Sequence, residues 1–232
     1  MGDIKVTDHE SQNTVPSKNQ NAKTVYFDEK HSGRPRIAFI GNSITLHNPK
    51  PEIGWYGSWG MAASCEENDY LHIVMSKIRE KYPEASYCIL SGALWERNYK
   101  TIDLEENYRE AKDFQPDIII TAIVENIPKD QFEIPAFKAA MKKLHDYIVD
   151  GRENVKIYQR SSFFHNELKI QGIKEYCEEN GVKYIYISDI PEDKSNCAYD
   201  KFEHSGVACH PGDKGMRIMA ERFLAEIEKN LL

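Results

Sequence analysis

Short apolar-rich runs alternate along this chain with longer stretches in which apolar residues recur every three or four positions. The runs are Ile37–Ile40, Ala85–Leu90, Ile118–Val124, Val155–Tyr158 and Val182–Ile187. They have strand length, and wholly apolar ones such as Ile37–Ile40 and most of 118–124 suit strands buried on both faces. Between them, Leu71, Val74, Met75 and Ile78 share one helical face, as do Phe137, Met141, Leu144 and Ile148, and later Met216, Met219, Phe223 and Ile227. The pattern predicts helices from Asn68 or Asp69 to just before Pro83, and over 101–114, 133–149, 166–179 and 213–230. An acidic or amide cap opens the first, and Asn180-Gly181 stops the fourth. Strands and helices alternating at this spacing predict a parallel sheet with right-handed crossovers. The expected fold class is α/β: a flavodoxin-like three-layer α/β/α sandwich on a five-stranded parallel sheet, in the order 2-1-3-4-5.

Two segments stand outside that alternation. Residues 1 to about 24 are polar and have little to bury, so an arm over 1–30 and a folded domain over 31–232 are expected, with Thr24–Phe27 offering a short edge strand. Residues 44–68 are irregular and rich in Pro, Gly and aromatics; a long loop of that kind is uncommon unless functional. Composition narrows the partners. A net charge of −7 without a Lys/Arg cluster argues against nucleic acid, and no apolar run reaches membrane-span length. Five cysteines without a C-x-x-C pair suggest free thiols in a reducing compartment, and with no apolar leader visible a cytoplasmic location is expected.

The chemistry lies at the strand ends. Ile37–Ile40 runs into Gly41-Asn42-Ser43, the second strand into Ser91-Gly92, and the most apolar strand into Glu125-Asn126. In a parallel sheet these ends share one edge, where open α/β sheets bind ligands. Val207-Ala208-Cys209-His210-Pro211-Gly212-Asp213 arrives there from the other end of the chain, just before the last helix. A serine nucleophile needs a base within reach and donors aimed at the developing oxyanion. Ser43, His210, the Gly92 N–H and the Asn126 amide are candidates for those roles, although each alone could be an ordinary turn or cap residue.

With these residues in place, the sequence resembles the SGNH (GDSL-like) hydrolases, a family of esterases and lipases. The family's blocks map, in its order, onto Gly41-Asn42-Ser43-Ile44-Thr45, Gly92, Asn126 and His210-Pro211, over about residues 36–230. The resemblance implies the SGNH fold and serine-dependent hydrolysis of an ester, often an acetyl group on a carbohydrate, without a cofactor or metal. It implies Ser43 as nucleophile and His210 as base. The oxyanion would be held by the N–H groups of Ser43 and Gly92 and by the Asn126 side chain. Two positions depart from the pattern: Asn42 replaces the usual aspartate, and Val207 stands where the family's triad acid would be.

Valine at 207 leaves His210 in need of another partner. Glu203 or Asp200 could fold back as a displaced acid; a backbone carbonyl or a water bridge is the favoured partner. Trp55 and Trp59, with Tyr56 between them, are expected to form a substrate wall. The alternative function is a catalytically weak carbohydrate-binding module that uses the same aromatics. A third reading takes His204, Cys209, His210 and Asp213 as metal ligands, though at no recognised spacing. The partner expected is a small-molecule or carbohydrate ester, and nothing in the pattern speaks to oligomeric state.

Overall fold

The computed structural model describes residues 23–231. Six strands form one sheet: β1 (Val25–Phe27), β2 (Gly33–Gly41), β3 (Ala85–Ser91), β4 (Ile118–Ala122), β5 (Lys156–Arg160) and β6 (Lys183–Ile185). Their order is β1-β3-β2-β4-β5-β6. The five strands from β2 to β6 are parallel and lie in the expected 2-1-3-4-5 order. The sixth, β1, adds antiparallel to β3. Residues 25–27, where a short edge strand was expected, thus belong to the sheet, with Val25 buried. Residues 1–22 of the expected arm lie outside the described residues.

The helices are α1 (Tyr70–Lys81), α2 (Gly92–Asn98), α3 (Leu104–Asp113), α4 (Ile134–Val149), α5 (Glu167–Asn180), α6 (Ser205–Ala208) and α7 (Asp213–Leu231). Asp69 caps α1 by accepting from the His72 N–H, and Gly181 ends α5 in the left-handed conformation. The short helix α2 has no counterpart in the sequence reading, because two turns are too few to show a period.

Alternation within the central strands sorts the core into two layers. Ile37 and Phe39 of β2, with Ile118 and Ile120 of β4, pack against α1 and α7 through Tyr70, Val74, Met216 and Phe223. Ala38 and Ile40, with Ile119, face the opposite layer, where Leu104, Tyr108, Phe137, Met141, Ile173 and Tyr176 cover them. Each fully buried chain of this size is worth about 1.5–3 kcal/mol over leaving it exposed. No helix among the described residues is long and apolar enough to cross a membrane.

Strand register levels the edge of the sheet. Gly41 pairs with Ser91 on one side and with Ala122 on the other. Three strands therefore end together, and the turns that leave them start side by side.

Candidate active site

The turn after β2 is held by its own polar groups. Asn42 Oδ1 accepts from the Ile44 N–H, and the Asn42 carbonyl accepts from Thr45 and Leu46. The Ser43 carbonyl accepts from the Met61 N–H at 2.8 Å, tying the turn to the long loop behind it. Next to it, α2 begins at Gly92. A Cβ there would lie 2.3 Å from Ile123 Cγ2 and 2.7 Å from the Gly41 carbonyl oxygen, so only glycine lets this helix start against β2.

Ser43 and His210, far apart in sequence, meet at the sheet edge: Ser43 Oγ is 2.8 Å from His210 Nε2. Both line a cleft of about 610 Å³ together with Asn126, and Ser91 and Ala93 bracket Gly92 on its wall. His210 is buried. That burial lowers its proton affinity to a pKa of about 4, against the opposing pull of the Gly206 carbonyl and the Glu125 charge. The ring is therefore neutral at pH 7, the form able to accept a proton from a hydroxyl. On its far side, Cys209 Sγ lies 3.8 Å from Nδ1.

No displaced acid is near. The Asp200 carboxylate is exposed and pairs with Lys201, and Glu203 is also exposed; neither is among the largest influences on His210 or lines the cleft. Of the backbone groups near the ring, the Gly206 carbonyl raises its proton affinity most. Val207 has a packing reason. It is fully buried in an apolar cluster with Trp55, Met61, Ala62 and Ala198, where an aspartate would lose its solvation without a partner.

The expected tryptophan wall needs correcting. Trp55 is buried and donates its indole N–H to the His47 carbonyl; Trp59 donates to Ala63 and meets Trp55 edge-on. Neither lines the cleft. They are the packing beneath the Val207 turn, and thus behind His210. The four candidate metal ligands do not converge either. Asp213 is occupied by Ser64 and Asn68, and among the described residues no three His, Cys, Asp or Glu side chains could hold an ion together.

A buried polar layer lies under the turns, and the sequence reading missed most of it. Arg160, with no solvent exposure, donates to Glu125 Oε1 at 2.6 Å and to Oε2 at 3.1 Å, and also to the Ala122 and Ser161 carbonyls. Glu125 also accepts from Asn42 Nδ2 at 2.6 Å and from the Phe163 N–H. Burial would raise the Glu125 carboxyl, but the Arg160 charge together with the hydrogen bonds from Arg160, the Phe163 N–H and Asn42 outweighs it and holds the group below the usual range. Glu96, on α2, accepts from Asn42 Nδ2, from the Val124 and Asn126 N–H groups, and from Asn126 Nδ2 at 2.5 Å. Burial and then the nearby Glu125 charge push Glu96 upward. On the other side of the same loop, the buried Lys169 ammonium donates to the carbonyls of Val124, Glu125 and Ile127. Val124 sits at φ 146°, a conformation β-branched residues avoid. The two clamps, one on its N–H and one on its carbonyl, hold it there. One Asn126 amide hydrogen is thus fixed on Glu96, which orients the other.

Some of this layer carried a readable signal. Arg160 closes a buried strand at the edge where Glu125 closes its neighbour, and Lys169 lies four residues before Ile173 on the inward face of α5. Glu96 had none without α2.

The layer also explains Asn42. Its amide donates to two carboxylates at once, and an aspartate there would face both of them. Asn42→Asp should therefore destabilise the fold at pH 7 by about 1–3 kcal/mol. The new carboxyl would have a raised folded-state pKa, so the penalty should shrink as pH falls toward 4. Denaturant unfolding at pH 7 and pH 5 checks this; equal stability of variant and parent at both would refute it.

At the level of sequence, no family model and no curated relative matches. Solved structures do resemble this one. The psychrotrophic esterase EstA from a Pseudoalteromonas species matches with a TM-score of 0.55 at 10% identity, over 84% of this chain and 98% of that one. A family two carbohydrate esterase from Clostridium thermocellum, solved with cellohexaose, matches with a TM-score of 0.58 at 19% identity. That match covers 84% of this chain, which spans 64% of the Clostridium chain. A GDSL-like lipase candidate from Bacteroides ovatus matches with a TM-score of 0.54 at 20% identity, over 85% of this chain and all of that one. The level strand ends, the layer order and these likenesses lead to one conclusion: the chain has the fold of the SGNH, or GDSL-like, hydrolases.

Proposed function

We propose that this protein is a serine esterase that removes a small acyl group, acetyl above all, from a carbohydrate or similar small alcohol. The observation that carries the reading is the 2.8 Å approach of Ser43 Oγ to His210 Nε2 at the floor of the cleft. In acylation, Ser43 Oγ attacks the ester carbonyl while Nε2 takes its proton. The tetrahedral oxyanion then develops against the N–H groups of Ser43 and Gly92 and the free Asn126 amide hydrogen. The imidazolium returns its proton to the departing alcohol, and a water activated by the same nitrogen releases the acid.

His210 works here as half of a dyad. The Gly206 carbonyl supports the ring and favours the tautomer that leaves Nε2 free, but offers a dipole where a triad offers a full charge. The carbohydrate side of the proposal draws on the Clostridium esterase, which was solved with cellohexaose. Of the three aromatics the binding-module alternative would use, only Tyr56 is exposed, and Trp55 and Trp59 do not line the cleft. Free thiols at all five cysteines fit the reducing compartment of a cytoplasmic enzyme.

Ser43→Ala should abolish turnover of a small aryl acetate without changing the unfolding midpoint. Asn126→Ala should lower kcat by roughly 10²–10³ with a smaller effect on KM. Full activity in folded Ser43→Ala would end the serine-esterase reading, and a change confined to KM would make Asn126 a binding residue.

The pH profile should be displaced too. Burial favours the neutral ring, so the base form persists down to about pH 4. The acid limb of kcat/KM should fall near pH 4 to 5, well below the 6.5 of an ordinary histidine. The same shift costs stability as pH drops below 6.5, since the unfolded chain takes up the proton first. Rates should therefore be read alongside circular dichroism. A limb at 6.5 in folded protein would contradict the role of burial.

A further inference from the structure

The protein carries a net charge of −7, yet its cleft is lined by no aspartate or glutamate. The charged side chains on the wall are Lys50 and Arg97, joined by His47 and His204. Neither Lys50 nor Arg97 forms an ion pair among the described residues, whereas most other lysines and arginines on the surface do. The two come from different elements: Lys50 from the loop after the nucleophile, Arg97 from the last turn of α2. Both act on a single point. His47 lies between their fields, and after burial they are the charges that lower its proton affinity; no acid opposes them there. Glu52 and Glu203 neighbour these residues in sequence, but neither lines the cleft.

Unpaired cations that share a concave site with a nucleophile concentrate anions there. Resting on the esterase reading above, we propose that the substrate's alcohol portion carries an anionic group, held between Lys50 and Arg97 while the acyl group lies over Ser43. The chemical class is an acylated acidic sugar or a similar small acid: a carboxylate, sulfate or phosphate on the ring that bears the ester. A guanidinium suits each of these oxyanions through paired N–H donors, and Lys50 adds a point charge.

The test compares kcat/KM for matched substrates: an acetylated methyl galactoside, its uronate, its 6-sulfate and its 6-phosphate. At low salt at least one charged sugar should be preferred by about tenfold or more, and the preferred member identifies the anion. That ratio should fall toward one in the Lys50→Gln/Arg97→Gln double variant, and in the parent at about 0.5 M salt. Ratios of one or less for all three charged sugars would overturn the proposal. The esterase reading can fail separately: if none of the esters is turned over, the unacetylated sugars are titrated into the protein by calorimetry. Tighter binding of a charged sugar than of methyl galactoside, lost in the double variant, would keep the anion site and remove the reaction. Equal or undetectable binding of the charged sugars would overturn the anion site itself.

Discussion

Everything at the sheet edge depends on a guanidinium that has no access to water. Arg160 ends β5 inside the protein, and a charge in that position needs a carboxylate with good geometry or the fold loses several kcal/mol. Glu125 meets it with both oxygens and then has capacity left for the Asn42 amide and the Phe163 N–H. Asn42 passes the connection to Glu96, and Glu96 holds Asn126. One buried pair thus fixes, through two amides, both the turn that presents Ser43 and the amide that would meet the oxyanion. Removing either charge would strand the other, at a cost of about 3–5 kcal/mol, and would release both turns together.

The same layer accounts for the chain's departures from the pattern it resembles. At position 42 the neighbours are Glu96 and Glu125, and an amide can donate to both where an aspartate cannot. At position 207 the turn is packed on Trp55 and Met61, so the side chain there serves the apolar cluster. The low proton affinity of His210 comes from burial, which outweighs the pull of the Gly206 carbonyl and the Glu125 charge. Carboxylate charge is thus absent from positions 42 and 207, while Glu125, paired with Arg160, lies in the layer below.

Much of this was legible in the chain itself. The apolar runs at 37–40 and 118–124 announce central parallel strands, and five strands alternating with amphipathic helices suggest the flavodoxin-like order. The polar strand ends pick out Ser43, Gly92 and Asn126 because a level sheet edge brings such positions together, and His210 because it precedes the last helix. Residues whose meaning depends on tertiary packing were not legible. Trp55 and Trp59 look like a binding surface in a polar loop, and only the fold shows that they turn inward beneath Val207. Glu96 lies in a helix too short to show a period, whereas the short edge strand at 25–27 was legible from its apolar and aromatic residues. Val124 reads as the last residue of a strand, but its positive φ ends β4 two residues earlier.

On the proposed reading, Ser43 is a nucleophile made reactive by His210. Brief incubation with an aryl fluorophosphonate, followed by peptide mass spectrometry, tests it most directly, because the reagent needs no knowledge of the natural ester. The expected result is a single covalent adduct on the peptide containing Ser43, with labelling slowed strongly in His210→Ala and absent in Ser43→Ala. An unlabelled folded protein, or labelling of Ser43 at the same rate when His210 is removed, would contradict it.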